Sequence, residues 1–565
     1  MIIDASAIDS GSLLQADVCI VGGGAAGITL AMDLLGRGLD LLLLESGGPA
    51  ASPSVQDLYR GEVVNARLHS PPDKYRQRQF GGSTAIWGGR CAPFDPIDFE
   101  ARPFVPGSGW PIGYDEVACH YPAANRLMEA GACEYDADEG FNAEDSAMFA
   151  GFHSERVRTN GLERFSCPTD FAVRYRRRLE LAPDLRVILR ANCTAIRLAA
   201  DGRLVKRLEV GTLEGRRFSV AARRVVLAIG GLETPRLLLA SNDVQTQGIG
   251  NLHDVVGRYY MCHIAGNTGE LHVDGPTSAV VHGYLVSKDG VYCRRRLSLT
   301  AAEQRRIGAA NMVARLHFPR VTDPSHRSGV LSGLCLVKRL VRYEYGKRLD
   351  DGEPPSLGHY LRHLRNVLAD PFYTIAFLSH WVTRRTLAPR KFPSVILRNR
   401  SNRFSLEVNA EQRPMRESRV TLGNERDALG MPRIKVDWRY CRADIDSVAR
   451  TLAVFAEEFS RSGLISLRYD SGKLEEDLTR FGAYGGHHIG TTRMGDDSRC
   501  SVVDRNCRVN GVCNLYIAGS AVFPTSSQAN PTLHIAAMAL RLSKHLAEGL
   551  GSRSSAAAVV EQVAS

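Results

Sequence analysis

Residues 17–45 read DVCIVGGGAAGITLAMDLLGRGLDLLLLE. An apolar run, Val18 to Val21, enters a glycine turn at Gly22, Gly23 and Gly24. A small-residue helical pattern follows, with Ala25, Ala26, Gly27, Leu30 and Ala31, and a second apolar run, Leu41 to Leu44, ends at Glu45 and Ser46. This order predicts strand, turn, helix, strand, and its glycines fit G-x-G-x-x-G at Gly22, Gly24 and Gly27. Gly22 permits the tight turn, Gly24 lets a pyrophosphate approach the backbone, and Gly27 lets the helix pack on the strand. The free N–H groups of the helix start suit phosphate oxygens. Glu45 stands where a carboxylate can accept hydrogen bonds from ribose hydroxyls, which disfavours a 2′-phosphate and hence NADP. The motif alone leaves FAD and NAD open.

Working outward, a chain of 565 residues can bury a large core and predicts two structural domains. Its net charge of +10 is modest over that length and comes without a basic run interleaved with aromatics, so nucleic-acid binding is not expected. The 13 cysteines contain no C-x-x-C pair, and Cys500, Cys507 and Cys513 do not match zinc or iron–sulfur spacing, so no metal site is expected. Scattered thiols point to a reducing compartment. The N-terminus lacks a basic region followed by an apolar core, and no apolar segment reaches membrane-spanning length, which predicts a cytoplasmic protein without a membrane span.

Further along, residues 49–80 read as a loop-like excursion with a short helix. Residues 81–89, GGSTAIWGG, bracket small hydroxyl residues and Trp87 between two glycine pairs, Gly81-Gly82 and Gly88-Gly89, with Ser83 between them. Such backbone can lie against a flat ring. A helix is predicted from Tyr114 to about Ala130. Strands are predicted at Leu185–Leu189 and Asn192–Leu198, with a hairpin over Arg203–Val210 and Arg216–Val220. A buried strand over Arg224–Ile229 then runs through Ala228 into Gly230-Gly231 and a helix. Residues 258–481 are harder to read. Val280–Val286, Met312–Phe318 and Val330–Val337 suit strands of a second sheet, 357–386 a helical insertion, and Asp444–Ser462 a long amphipathic helix. The C-terminal part reads GHHIGTTRMG over 486–495, then a strand Asn514–Ala518 into Gly519-Ser520, then Asn530-Pro531-Thr532. There Pro531 is predicted as the first residue of the last helix, with Asn530 as its N-cap.

These blocks, in this order, resemble the glucose–methanol–choline (GMC) family of FAD oxidoreductases. The resemblance rests on Gly22–Gly27 with Glu45, Gly81–Gly89, Ala228–Leu238, His487–Gly495 and Asn514–Thr532, about a third of the chain. Trp87-Gly88-Gly89 and Trp110-Pro111 are closer to the bacterial sugar- and polyol-oxidising branch than to choline dehydrogenases. The resemblance implies an α/β fold in which a discontinuous Rossmann-like FAD domain (14–95, 190–257 and 482–550) carries an α+β substrate domain. That second domain (96–189 and 258–481) has an antiparallel sheet over the flavin, and 551–565 is a tail. It also implies oxidation of an alcohol (a sugar, polyol or glycoside) by hydride transfer to flavin N5. His487 would be the base, Asn530 the second polar group on the substrate oxygen, and the glycine stretches, Ser46, Ala228, Ser520 and Thr532 part of the cofactor cradle.

The chemistry makes separate sense. An alcohol gives up hydride more easily as its O–H proton leaves, and histidine is the side chain able to take that proton near neutral pH. Spacing to Gly490-Thr491 selects His487 over His488, and structural roles are expected for His263 and His534. Relatives often carry Asp-His where this chain has Cys262-His263, so no role of that acid carries over. Where some sugar oxidases attach FAD through a histidine beside the tryptophan of the glycine stretch, this chain has Ile86, which predicts non-covalent FAD. The electron acceptor is left open between oxygen, a quinone and a redox protein. The alternatives are a flavoenzyme of the same fold performing non-alcohol tailoring chemistry in a biosynthetic pathway, and an electron-transfer flavoprotein subunit.

Overall fold

A computed structural model describes residues 1–141, 147–318, 321–337, 356–394, 397, 399, 402–483 and 486–551. The predicted tail from 552 onward lies outside the described residues. The glycine unit folds as strand Leu13–Val21, helix Ala25–Leu34 and strand Leu41–Leu44. Steric fit explains its glycines. Gly22 has φ +108°, and a Cβ there would stand 2.5 Å from the Ala228 carbonyl oxygen. A Cβ on Gly27 would stand 1.9 Å from the Gly22 carbonyl oxygen. At Gly24 the nearest atom to a Cβ is the Gly82 Cα at 4.0 Å, so this face of the turn is open.

These strands lie at the centre of an eight-stranded sheet. The order across it is Ile2–Asp4, Leu185–Leu189, Leu41–Leu44, Leu13–Val21, Arg217–Leu227, Val205–Gly211 and Asn192–Leu198, and Leu515–Ile517 also pairs with Arg217–Leu227. The central pairings are parallel and buried on both faces, which is why Leu41–Leu44 can be leucine throughout. The last helix, Thr532–Gly551, packs against helix Ala25–Leu34.

A second eight-stranded sheet is wholly antiparallel. Its order is Ile465–Arg468, His263–Val273, Arg403–Glu411, Met312–His317, Tyr292–Leu299, Val157–Phe165 and Arg90–Cys91, with Tyr284–Val286 against Tyr292–Leu299. Leu406, Val408 and Ala410 turn to one face, where they share a core with Ile445, Val448, Leu452, Phe455 and Phe459 of helix Arg442–Ser462. The helical spacing of those five residues puts them on one stripe. A small third sheet joins Arg419–Arg426, Pro432–Asp437 and Gly61–Val63.

Several boundaries differ from the sequence reading. The predicted hairpin arm Arg216–Val220 and the strand Arg224–Ile229 are one strand, Arg217–Leu227, because its two halves serve different neighbours. The segment drawn as starting at 190 leaves out Leu185–Leu189, which pairs in parallel with Leu41–Leu44. Val330–Val337 is not a strand. Ser328 accepts a hydrogen bond from the Leu331 amide and starts helix Gly329–Leu336, and a short apolar run has no period that separates the two. The helix read from Tyr114 to Ala130 is two pieces, Asp115–Ala118 and Tyr121–Leu127, with Pro122 in the first turn of the second. Of Val280–Val286, only Tyr284–Val286 is strand. The last helix begins at Thr532 and the Ile535 amide donates to the Pro531 carbonyl, so the cap falls on Pro531 rather than Asn530.

Candidate active site

A cavity of about 390 Å³ runs from the glycine unit to the second sheet. Its nucleotide end is lined by Gly22, Gly24, Ala25, Ala26, Glu45, Ser46, Gly82, Ser83, Ala228, Gly230 and Gly519. Trp87, Gly88, Ser520, Asn530, Pro531 and Thr532 line it further on. Gly27, Gly81 and Gly89, expected among the cofactor contacts, do not line the cavity. They serve packing. A Cβ on Gly81 would stand 2.9 Å from Asp170 and Ala172 side-chain atoms, and one on Gly89 would stand 3.1 Å from Ser166 and Pro168.

Glu45 is buried, and both carboxylate oxygens accept backbone amides, Gly23 at 2.7 Å and Gly47 at 2.6 Å. Burial pushes this carboxyl above the ordinary range, opposed by those two amides and by Arg78. Arg78 went unread in the sequence. It lines the cavity, pairs with Glu233 at 3.2 Å, and has a buried Nε with no partner. Arg76 pairs with the same Glu233 at 3.1 Å and stacks on Tyr59. Three arginines, Arg236 being the third, hold Glu233 down to about 2 against the opposing effect of burial.

At the other end, His487, His488 and Asn530 line the cavity together. The two histidines have different surroundings. Nδ1 of His488 is 2.6 Å from the Tyr260 hydroxyl, which is 2.8 Å from Nε2 of His69, whose Nδ1 is 2.6 Å from the Ser70 carbonyl. His488 is therefore one end of a fixed chain, while its Nε2 is buried without a partner. His487 makes no such chain. Its ring stands edge-on to His263 at 4.9 Å, and its buried Nδ1 has no partner. Burial holds both imidazoles well below the usual histidine value. His263 and then Arg90 add to this at His487, and Arg76, His69 and His487 at His488. His263 is lowered to about 4 by burial, with the Ser527 backbone opposing. His534 lies in the first turn of the last helix, stacked on Phe94 at 4.0 Å, its Nδ1 2.7 Å from the Tyr121 hydroxyl.

The second sheet supplies a polar wall that sequence reading missed. Arg90, Arg294, His317, Glu407 and Asn409 line the cavity. Glu407 accepts from Arg294 at 3.1 Å, and Asn409 donates to the Gln528 carbonyl at 2.5 Å. Behind them, Glu163 accepts from Arg315 and lies 3.6 Å from Arg90, and Arg102 meets Glu411 through bonds of 2.8 and 2.7 Å. The only signal in the sequence was period-2 alternation, Phe404, Leu406 and Val408 against Glu407 and Asn409, which reads equally well as a strand with one face in water.

FAD fits these residues. The open face of Gly24 opposite Gly82 is a floor without Cβ atoms, Glu45 is fixed by two amides, and Arg78 brings an unpartnered buried donor. Away from the cavity, ligand atoms of Cys335, His359 and His363 lie within 4.8 Å of one another. Both His363 nitrogens are already engaged, by Ser332 and the Thr322 carbonyl.

A dinucleotide sheet that is parallel at its centre, joined through one cavity to an antiparallel sheet with a polar face, defines a two-domain flavoprotein oxidoreductase. Residues 17–395 match the FAD dependent oxidoreductase family and residues 414–539 match the GMC oxidoreductase C-terminal family. The chain belongs to the GMC family of FAD-dependent oxidoreductases. It is 25% identical to paromamine 6'-oxidase of Streptomyces fradiae, over 96% of this chain and 93% of that one. It is 23% identical to 2-methyl-1,2-propanediol dehydrogenase of Mycolicibacterium austroafricanum, over 94% and 95%. Among solved structures, pyridoxine 4-oxidase from Mesorbium loti shares the fold with a TM-score of 0.51 at 18% identity, covering 94% of this chain and 98% of that one.

Proposed function

We propose that this chain oxidises a hydroxyl of a sugar-like or polyol substrate, with His487 as the base and Asn530 as the group that holds the substrate oxygen. One observation carries this reading. A single cavity holds the dinucleotide cradle at one end, and His487, Asn530 and the wall of Arg90, Arg294, His317, Glu407 and Asn409 at the other. Five polar side chains on one wall suit a molecule with several hydroxyls. The relatives' names agree in kind, one being a paromamine 6'-oxidase and the other a 2-methyl-1,2-propanediol dehydrogenase.

Bound FAD supplies the acceptor for the hydride. The chain's own part is positional and protonic. His487, kept neutral by burial, can take the hydroxyl proton. The Asn530 amide can donate to the same oxygen, and two contacts on one atom orient the carbon that bears it. His488, tied through Tyr260, keeps the adjacent backbone in place while its carbonyl accepts from Ser520 at 2.7 Å. The FAD domain of this reading comprises 14–95, 190–257 and 482–550, with the middle piece extended back to Leu185. All 13 cysteines are free thiols, which supports placing the protein in the reducing cytoplasm.

The test is anaerobic bleaching of the oxidised flavin by a panel of sugars, polyols, glycosides and simple alcohols. Bleaching by a polyhydroxylated class supports the reading, and admitting air then shows whether oxygen accepts the electrons. Oxidised FAD that no alcohol bleaches would overturn it in favour of tailoring chemistry.

A further inference from the structure

The segment 356–394 holds two helices whose outward sides are apolar. In helix Leu357–Ala369 the side turned to the protein is polar. His363 is fully buried, with its nitrogens on Ser332 at 3.0 Å and the Thr322 carbonyl at 3.3 Å. Asn366 donates to the Pro324 carbonyl at 2.8 Å. The opposite side, spaced four, three and four residues apart, is Leu357, Leu361, Leu364 and Leu368, which are 77%, 56%, 45% and 71% exposed. Helix Pro371–Trp381 rests Tyr373 and Phe377 on the cluster of Val330, Leu331 and Leu397, has no fully buried residue, and also turns apolar side chains outward. Phe372 is 87% exposed, and Ile375, Leu378, Val382 and Leu387 are also exposed. A water-facing helix normally shows the reverse arrangement.

We infer that this pair docks the protein on an anionic membrane surface. Charge complementarity selects that occupant. Residues 356–394 carry Arg362, Arg365, Arg384, Arg385, Arg390 and Lys391 against one acid, Asp370. Leucines and aromatics on one side with arginines around them are the composition of helices that lie in the headgroup layer. The helices have 13 and 11 residues, about 20 and 16 Å at ~1.5 Å per residue. Both are shorter than a bilayer core of about 30 Å, so they lie along the surface and do not cross it. No helix among the described residues is long and apolar enough to cross a membrane.

The docking face adjoins the cavity. The Phe392 amide donates to the Arg384 carbonyl at 2.9 Å and Arg385 donates to the Pro393 carbonyl at 2.6 Å. Pro393 and Ser394 line the cavity, and the Phe392 ring packs on Tyr284 at 5.1 Å and on His380 at 5.0 Å. Docking therefore turns the rim formed by Pro393 and Ser394 toward the bilayer. This inference holds whichever alcohol is oxidised; only the choice of the anionic cytoplasmic leaflet rests on the placement proposed above.

The test is cosedimentation of the FAD-loaded protein with vesicles of phosphatidylcholine alone and of phosphatidylcholine with phosphatidylserine. Binding is expected on the anionic vesicles and is expected to weaken as salt rises. The triple variant Phe372→Ser, Ile375→Ser, Leu378→Ser should lower the affinity about tenfold or more. Arg362→Gln with Arg365→Gln should reduce the preference for phosphatidylserine. Flavin content and turnover with a soluble dye should be unchanged in both, which separates this result from the substrate assignment. Protein that stays in the supernatant with anionic vesicles overturns the inference. So does a dimer that the triple variant converts to monomer without any vesicle binding, since the face would then join two copies of the chain.

Discussion

His487 is kept neutral first by burial and then by the nearness of His263 and Arg90. Its folded value lies below the ordinary 6.5, so the acid limb of flavin reduction should fall below that point. Rapid-mixing measurements of reduction against pH should show no loss of rate on descending through 6.5, and an inflection there would assign the proton to another group. His487→Ala should retain flavin and slow its reduction by about 10²–10⁴; an unchanged rate would remove His487 from the chemistry. Glu45→Ala should act on retention instead. A ribose hydroxyl donating to this carboxylate would contribute about 1.5–3 kcal/mol, so flavin affinity measured by titration should fall about ten- to a hundredfold. Residues of this kind were legible because geometry restricts them. Gly22, Gly27 and the His487-to-Thr491 spacing tolerate few replacements, whereas Arg78 and Arg76 sit in an irregular loop where no period marks them.

Among elements, the glycine turn offers a paired experiment. Gly27→Ala places a methyl 1.9 Å from a carbonyl oxygen, while Gly24→Ala meets nothing nearer than 4.0 Å. Overpacking of the first kind costs about 1–3 kcal/mol or more. Gly27→Ala should lower the thermal midpoint of the flavin-free protein. Gly24→Ala should leave that midpoint unchanged and weaken flavin binding. Equal midpoints would show that the helix can shift away from the strand. The second sheet explains where sequence reading stopped. Alternation at Leu406, Glu407, Val408 and Asn409 was visible, but alternation does not say whether the polar face meets water or a cavity. The charges are buried in pairs such as Arg102 with Glu411. Removing one partner of such a pair costs about 3–5 kcal/mol, while replacing both by apolar groups is often neutral. Helix Gly329–Leu336 was misread as strand because eight residues of small and apolar type carry no decisive period.

For the molecule as a whole, acid stability should reflect its buried histidines. His263 and His534 have folded values of about 4 and about 3, below the ordinary 6.5. The unfolded chain therefore binds more protons than the fold below 6.5. Their stabilisation is complete above 6.5 and is lost as pH falls through the folded values. Asp98, pushed up to about 7 chiefly by burial, runs the other way and loses stability as pH rises from 3.8 toward 7. A difference measurement isolates the histidine part. His534→Phe should flatten the fall of thermal midpoint between pH 6.5 and 3 relative to the parent chain; parallel curves would exclude it. The two-sheet plan was legible from the order of short blocks. The polar wall was not, because its strands, from Arg90 to Asn409, come together only in space.

The nucleotide sheet takes strands from Ile2–Asp4 at one end of the chain and Leu515–Ile517 near the other, and Asn530 follows later still. During synthesis, then, the cradle stays unfinished until Asn530 has left the ribosome. Yellow colour becomes a certificate that synthesis has passed this point: a nascent fragment stopped before Leu515 lacks the strand that pairs with Val225–Leu227 and the last helix, and should emerge colourless.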